Sequence, residues 1–243
     1  MTYCVGLRLD QGLVFMSDTR TNAGVDNFAQ TRKMFHWQVP GERLITLMTA
    51  GNLATTQALV SLIEERVKAV GERDPSILHA PSMFQVARLV GATLKEVIAD
   101  SAPAGQSGDG AFQATVIVGG QIKGSPATMF LIYPEGNFIE VTEETPFFQI
   151  GETKYGRPIL VRAYAPHMPF EEAVKLLLVS FDSTVRSNLS VAPPFDLMVY
   201  ETNSFVPRLD RRIEQDDPVY QSISAGWGDA LRAAFDQLPT FDL

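Results

Sequence analysis

The sequence predicts an α+β fold in which two antiparallel sheets pack together and are covered by helices. The predicted elements run in the order strands, two helices, strands, two helices, strands and a final helix. Runs of strands that alternate with pairs of helices do not match the strict alternation of a parallel βαβ array. No repeat of about 20 to 50 residues is visible, which argues against a solenoid.

Two hairpins are predicted within the first fifty residues. Residues 2–9 alternate in hydrophobicity, and a turn that contains Asp10 and Gly12 leads into a second strand at residues 13–18. Residues 33–39 and 43–50 form the second hairpin, because Pro40 and Gly41 separate them. Four early strands are therefore expected.

Two amphipathic helices follow these strands. In the first, the apolar residues recur at spacings of three, four and seven and share one face: Leu59, Leu62, Ile63, Val67 and Val70. The second repeats this period and is entered through Pro81 and Ser82, with Met83, Val86, Ala87, Val90, Leu94, Val97 and Ile98 on its apolar face. Small and turn-forming residues then predict a loop at residues 101–110.

The second half of the chain repeats the pattern of strands followed by helices. The predicted elements are strands at residues 112–118, 129–133, 138–142 and 147–150, helices at 155–164 and 170–185, and strands at 196–201 and 205–213. Pro207 marks the last strand as an edge strand, because proline has no backbone N–H to donate to a neighbouring strand. The final ~25 residues are expected to form a terminal helix.

Composition narrows the possible functions. With 243 residues the chain is compatible with one large domain, and 45% hydrophobic with 20% charged residues is ordinary for a globular protein. The net charge of −8 argues against a nucleic-acid partner, which requires clustered basic residues. No run approaches the ~18 apolar residues of a membrane helix, and no export signal is evident. The single cysteine, Cys4, fits a reducing compartment, so a cytoplasmic location is expected.

Most motifs of familiar enzymes are absent from the sequence. It contains no G-x-S-x-G elbow, P-loop, dinucleotide fingerprint or H-E-x-x-H, and its three histidines, His36, His79 and His167, are scattered. A lone histidine without a partner is more often a satisfied surface or core residue than a catalytic one. No Cys/His cluster offers a zinc site, so neither a metal nor a cofactor is expected.

The informative feature is Thr2, which directly follows the initiator methionine. A small residue at this position normally permits removal of Met1, which would make Thr2 the first residue of the mature chain. A terminal threonine carries a hydroxyl nucleophile and an α-amine whose unperturbed pKa of about 7.7 to 8.0 suits a general base. Many unrelated proteins also begin Met-Thr, so this feature needs support from other residues.

Three further residues supply that support. The second predicted strand ends in Asp18 and the third begins with Lys33, so an ammonium held by a carboxylate would lie beside Thr2. Such an ammonium lowers the proton affinity of the hydroxyl and the amine. Gly51 ends the fourth strand, where its N–H is suited to stabilise a tetrahedral oxyanion.

Together these residues resemble the proteasome β-subunit superfamily of N-terminal-nucleophile hydrolases, which includes the bacterial HslV peptidase. The pattern is T…(S/A)D-x-R-x-x-x-G…K…(A)G. The segments MTYCVGLRLDQGLVFMSDTRTNAGVDN, GETKYGRPIL and SFDSTVRSNLSVAPPFDLMVY are similar to the bacterial proteasome-like family Anbu, the ancestral β subunit. The similarity covers nearly the whole chain.

The resemblance implies a single four-layer αββα sandwich over residues 1–243, with residues 205–243 as a C-terminal extension used in packing or assembly. It also implies self-association into a ring-like or helical homo-oligomer, a peptide or unfolded-protein substrate and, by analogy alone, a regulatory ATPase partner. The catalytic residues carried over are Thr2, Asp18, Lys33, Gly51, Ser187 and Ser190. The residues expected to line the substrate groove are Thr21, Asn22, Thr49 and Ala50.

Two departures from the family pattern concern the efficiency of the reaction. Lys33 lies 31 residues beyond Thr2, one fewer than in proteasome subunits, and Glu152 stands where related subunits place a serine near the terminal amine. We interpret Glu152 as either solvated or paired with a neighbouring subunit. Cys4 is expected to be a small buried hydrophobe rather than an alternative nucleophile.

Three functions therefore remain open at this stage. The first is a threonine-type peptidase that forms an acyl-enzyme, and the second is an amide hydrolase that acts on small molecules with the same nucleophile. The third is a self-assembling scaffold or binding particle in which Met1 is retained and blocks the amine.

Overall fold

A computed structural model describes residues 2–22, 28–68, 75–101 and 110–242, and the statements below concern these ranges. In chain order the strands are β1 (Tyr3–Leu9), β2 (Gly12–Asp18), β3 (Arg20–Asn22), β4 (Phe28–Gln30), β5 (Met34–Val39), β6 (Arg43–Gly51), β7 (Ala114–Ile122), β8 (Thr128–Ile132), β9 (Phe138–Glu140), β10 (Phe147–Gly151), β11 (Phe195–Glu201) and β12 (Leu209–Ile213). The α-helices are α1 (Leu53–Lys68), α2 (Met83–Ser101), α3 (Arg157–Ala163), α4 (Phe170–Ser187) and α5 (Pro218–Asp236).

The strands form two five-stranded antiparallel sheets. One has the order β10-β1-β2-β11-β12 and the other β5-β6-β7-β8-β9, while β3 and β4 pair as a small separate ribbon. Helices α1 and α2 cover the outer face of the second sheet, and α3 and α4 cover that of the first. The four-layer αββα sandwich is thus confirmed.

Three apolar layers hold the sandwich together, one between the sheets and one under each helical layer. Because side chains alternate along a strand, β1 sends Tyr3 and Val5 towards α4 and Cys4 towards the opposing sheet. Gly6 allows that sheet to approach closely, since a Cβ atom there would lie 2.8 Å from the Met129 sulfur. Fully burying one large apolar side chain contributes roughly 1.5–3 kcal/mol, so these layers supply most of the stability.

The predicted elements differ from the structure mainly at their boundaries. Both early hairpins and the apolar helix faces are confirmed, except for Val70, which lies outside the described residues. Strands β3 and β4 were missed because three-residue strands leave no alternation to detect. The helix predicted at residues 155–164 begins at Arg157, and the strand predicted at 205–213 begins at Leu209, so Pro207 lies outside it. Of the predicted loop at residues 101–110, Ser101 is instead the last residue of α2 and Gly110 begins a short 3-10 helix, while residues 102–109 lie outside the described residues.

The C-terminal segment contributes to the sandwich and then leaves it. Strand β12 extends the first sheet by pairing with β11, and Asp217 caps α5 by accepting the N–H groups of Val219 and Tyr220. Tyr220 packs into the core beneath α4. Beyond this anchor the helix is mostly exposed and presents Leu231 and Phe235 to solvent, and Leu238 and Phe241 are exposed just after its end.

Candidate functional site

Thr2 lies directly before β1, at the end of the sandwich where β1 meets β10. Its carbonyl accepts the N–H of Glu152 at 2.6 Å. The neighbouring Gly151 has a φ of +81°, and a Cβ atom there would lie 2.0 Å from the Thr2 carbonyl oxygen and 3.1 Å from its Cβ. Only glycine fits this close approach, so Gly151 sets the position of Thr2.

Tyr3 anchors the chain immediately after Thr2. The side chain is fully buried, and its hydroxyl hydrogen-bonds with Ser180 Oγ at 2.7 Å and accepts from Gln149 Nε2 at 2.7 Å. Burial raises the pKa of Tyr3 to about 12, so the phenol stays neutral. The backbone is held as well as the side chain, because the Tyr3 N–H donates to Asp18 Oδ1, at the end of the neighbouring strand β2, at 2.9 Å.

Asp18 and Lys33 form a buried ion pair behind Thr2. Lys33 Nζ donates to Asp18 Oδ1 at 2.7 Å and to the Arg20 carbonyl at 2.5 Å, and the side chains are 6% and 0% exposed. Burial raises the pKa of the Asp18 carboxyl, while the Lys33 ammonium and the Tyr3 N–H oppose that rise. The second oxygen, Asp18 Oδ2, has no hydrogen-bond partner among the described residues. This arrangement fixes an ammonium group at the base of the site.

Gly51 ends β6 where the strand meets α1. Its φ is +125°, and a Cβ atom would lie 2.4 Å from the Gln113 carbonyl oxygen, so the backbone here requires glycine. The next residue, Asn52, caps α1 by accepting the N–H of Thr55 at 3.0 Å. The strand end is therefore fixed rigidly next to the helix.

A cleft with a volume of about 320 Å³ brings most of the predicted residues together. Its lining includes Thr2, Thr21, Lys33, Thr49, Ala50 and Gly51, with Thr31, Arg32, Phe35, Leu53, Thr56, Gln57 and Gly151 around them. Asp18 lies behind Lys33 and does not line the cleft. Asn22 belongs to β3, but its side chain lies outside what the structure describes.

Ser187 and Ser190 do not line this cleft. Ser187 is exposed at the last position of α4, and Ser190 follows in the loop, where its N–H donates to the Asn188 side chain at 3.0 Å. Their placement as catalytic residues is therefore not supported by the described geometry. Asn188, directly after Ser187, instead donates a hydrogen bond to Glu152, and this contact was missed from the sequence.

Glu152 differs from its predicted role. It is only 5% exposed, and its carboxylate accepts the N–H groups of Thr153 at 2.9 Å and Lys154 at 2.7 Å, and Asn188 Nδ2 at 3.0 Å. The interpretation that it is solvated is wrong, because burial and three donors hold the carboxylate inside the chain. A salt bridge to a neighbouring subunit stays untested. The sequence did not indicate the hydrogen bond between Asn188 and Glu152, because a single glutamate in a turn belongs to no periodic pattern.

Cys4 packs between the sheets, as expected for a small buried hydrophobe. Its sulfur donates to the Thr49 carbonyl at 3.7 Å, and burial raises the pKa of the thiol far above its usual range. A thiol held in this form is a poor nucleophile. Among the described residues, no cluster of three or more His, Cys, Asp or Glu residues could hold a metal ion. None of the helices in the described ranges is long and apolar enough to cross a membrane.

Comparisons with known proteins give consistent results. The proteasome subunit family matches residues 2–193. The fold is similar over its full length to Anbu, the ancestral β-subunit, from Yersinia bercovieri, with a TM-score of 0.93, 45% identity and coverage of 100% and 99% of the two chains. For Anbu from Hyphomicrobium sp. strain MC1 the TM-score is 0.92 and the identity 49%, with 100% of both chains covered.

A third similar structure is described as the helical assembly of the Anbu complex from Pseudomonas aeruginosa. It has a TM-score of 0.92 and 44% identity, and the alignment covers 99% of this chain and 98% of that one. The comparison with curated proteins gave no match.

Proposed function

This chain belongs to the proteasome subunit family, and we propose from that premise that it is a threonine-type hydrolase of peptide or amide bonds. The observation that carries the proposal is the shared cleft, in which Thr2, Lys33 and Gly51 converge while Asp18 holds Lys33 from behind. A nucleophile, a fixed cation and a backbone donor at one site are the parts that acyl transfer requires.

The proposed reaction begins once Met1 has been removed. The free α-amine takes the proton from Thr2 Oγ, and the Lys33 ammonium lowers the proton affinity of that hydroxyl. Oγ attacks the amide carbonyl, and the Gly51 N–H stabilises the oxyanion of the tetrahedral intermediate. The departing amine receives a proton from the α-ammonium, which leaves an ester on Oγ that water hydrolyses. Thr21 and residues 49–50 would hold the extended substrate through main-chain hydrogen bonds.

The test is modification of Thr2 by a peptide epoxyketone, which requires both the hydroxyl and the amine of a terminal threonine. We expect intact mass spectrometry to show loss of Met1 and addition of one epoxyketone per chain. Thr2→Ala should abolish addition, whereas Thr2→Ser should retain it and Thr145→Ala, a matched change at an exposed threonine outside the cleft, should leave it intact. A correctly processed protein that is not modified would contradict the proposal.

The exposed apolar residues of the C-terminal segment support self-association. Leu231 is 50% exposed and Phe235 73% exposed, although both lie on a helix that is anchored to the sandwich at Tyr220. A monomer has little reason to present such a stripe, and the Pseudomonas aeruginosa relative is described as a helical assembly. We therefore expect residues 205–243 to contact another copy of the chain.

Analytical ultracentrifugation tests this assembly. Phe235→Ser should reduce the sedimenting species to smaller assemblies without lowering the melting temperature of the sandwich. Ile139→Ser provides the control, because Ile139 is 44% exposed but lies on β9 in the other sheet, away from the sheet on which Tyr220 anchors α5. Equal sedimentation of the two variants and the unmodified protein would exclude α5 from the interface.

Two further parts of the proposal concern the cellular location and a partner protein. A reducing, cytoplasmic location is consistent with one cysteine per chain and with the burial of Cys4 as a free thiol. A regulatory ATPase partner has only the family analogy behind it.

A further inference from the structure

The polar side chains of the cleft divide into two groups. Lys33 is satisfied by Asp18 and the Arg20 carbonyl, and the Thr56 hydroxyl donates to the Leu53 carbonyl at 3.0 Å. Apart from Thr2, which is the proposed nucleophile, the remaining polar residues are alike in that their side chains make no hydrogen bond or ion pair within the described part of the chain: Thr21, Thr31, Arg32, Thr49 and Gln57. These groups are available to a ligand.

Arg32 is the charged residue among these five. It lines the cleft at the exposed edge, directly before Lys33, and no Asp or Glu lines the described part of the cleft. A guanidinium presents planar N–H donors that match the two oxygens of a carboxylate, and such charge-assisted hydrogen bonds are about twice as strong as neutral ones. The lining that the structure describes therefore has donors for an anion and contains no carboxylate.

The wall of the cleft suits the rest of an acidic side chain. Phe35, Ala50 and Leu53 supply apolar surface on which methylene groups can pack, while the hydroxyl groups of Thr31 and Thr49 add neutral hydrogen-bonding capacity. Glutamate and aspartate combine a short apolar stem with a terminal carboxylate. A lysine side chain would place its ammonium near two cations, Arg32 and Lys33, which is unfavourable.

We propose that this cleft selects an acidic side chain of a peptide substrate, which Arg32 binds at the cleft edge next to Thr2. This inference deepens the proposed hydrolase function and rests on it for the consequence that bonds beside acidic residues are cleaved. The preference must come from the local contact, because the net charge of −8 repels acidic peptides at long range. At physiological salt the Debye length is about 8 Å, so that long-range repulsion is largely screened while the contact persists.

Binding to a variant that cannot turn over substrate tests this selection directly. The protein is Thr2→Ala, and the probes are fluorescent peptides of one sequence, amidated at the C-terminus, that differ only in a central Glu, Gln, Leu or Lys. Fluorescence anisotropy at 0.15 M salt measures their affinities. We expect the Glu peptide to bind about 5- to 10-fold more tightly than the isosteric Gln peptide, because only the former carries the carboxylate.

Variants of Arg32 assign the preference to this residue. In the Thr2→Ala background, Arg32→Gln should bring the Glu-to-Gln affinity ratio close to one, and Arg32→Glu should make the Lys peptide the tightest ligand. Arg208→Gln is the matched control and should leave the ratio unchanged, because Arg208 pairs with Glu201 on an exposed surface outside the cleft.

The possible failures are distinguishable. No binding by any of the four peptides, equal binding of the Glu and Gln peptides, or a ratio that survives Arg32→Gln would each overturn the inference. Epoxyketone addition to Thr2 without any acidic preference would leave the proposed hydrolase function standing and remove only the inference. An acidic preference that depends on Arg32 in a protein that the epoxyketone does not modify would remove the hydrolase function and keep the selective binding site.

Discussion

Asp18 and Glu152 are two buried carboxylates on opposite sides of Thr2, and they are held in different ways. Asp18 is fully buried at the end of β2 and has a cation, Lys33, at 2.7 Å. Glu152 follows β10, is 5% exposed and is held by two backbone N–H groups and the Asn188 amide, with no cation partner among the described residues. Both contact the start of β1 through a backbone N–H, Asp18 by accepting from Tyr3 and Glu152 by donating to Thr2.

The difference indicates two separate tasks. A carboxylate with a cation fixes the position and charge of that cation, so Asp18 determines where the Lys33 ammonium lies relative to Thr2. A carboxylate whose donors are amides fixes local backbone, so Glu152 joins the turn at Thr153 and Lys154 to the end of α4. Chemical function is therefore expected to depend on Asp18, and the shape of the chain around Thr2 on Glu152.

The largest effect is expected from Asp18→Asn, which leaves the Lys33 ammonium buried without a counter-ion. Breaking a buried pair in this way costs roughly 3–5 kcal/mol of the free energy of unfolding, which urea denaturation measures. The double variant Asp18→Asn with Lys33→Met should be less destabilised than the sum of the two single changes.

Asp196→Asn is the matched control for this prediction. Asp196 lies on the neighbouring strand β11, but its partner Arg212 is 38% exposed, so water can solvate the cation that remains. A loss of stability as large as that of Asp18→Asn would contradict the role of burial.

The second effect concerns the contact between Gly151 and Thr2. Gly151→Ala combines a strained backbone with a Cβ that cannot fit against the Thr2 carbonyl, so we expect a cost of roughly 2–4 kcal/mol. Gly41→Ala measures the backbone strain without the steric clash, because Gly41 has a φ of +74° and nothing within 4 Å of the added atom. It should cost only about 1 kcal/mol.

Epoxyketone modification gives the second readout for this pair. Gly151→Ala should slow it by at least tenfold, because displacement of Thr2 separates it from the Lys33 ammonium. Equal rates in the two alanine variants would show that this contact does not position Thr2.

The smallest effect is expected from Glu152→Gln. The substitution keeps one acceptor oxygen but replaces the other with an NH2 group, which faces the Asn188 amide donor. The amide oxygen can still accept the N–H groups of Thr153 and Lys154, which share one carboxylate oxygen, so loss of the hydrogen bond from Asn188 should lower the free energy of unfolding by about 1–3 kcal/mol. Glu144→Gln, on an exposed residue, should be neutral within about 0.5 kcal/mol. If Glu152→Gln were as destabilising as Asp18→Asn, the distinction between the two carboxylates would fail.

The sequence predicted the features that follow from regular hydrophobic periodicity or from the positions where strands end. Alternation in β1 and the helical spacing of α2 and α4 were sufficient for the layers, and Asp18, Lys33 and Gly51 could be expected at one end because each terminates or precedes a strand. The contact between Glu152 and Asn188 joins a turn to a helix end 36 residues away, and no pattern in either segment indicates it. Ser187 and Ser190 were placed by resemblance, but the direction of side chains where a helix ends depends on packing that a sequence does not contain.

Tyr3 has a consequence for maturation of the chain. Its hydroxyl and N–H fix the register of β1 one residue after Thr2, and none of their three hydrogen bonds involves the terminal amine. Chains with and without the initiator methionine are therefore expected to share this register of β1. Removal of that residue would change the chemistry of the site without refolding, so newly made protein would be a correctly folded, dormant pool.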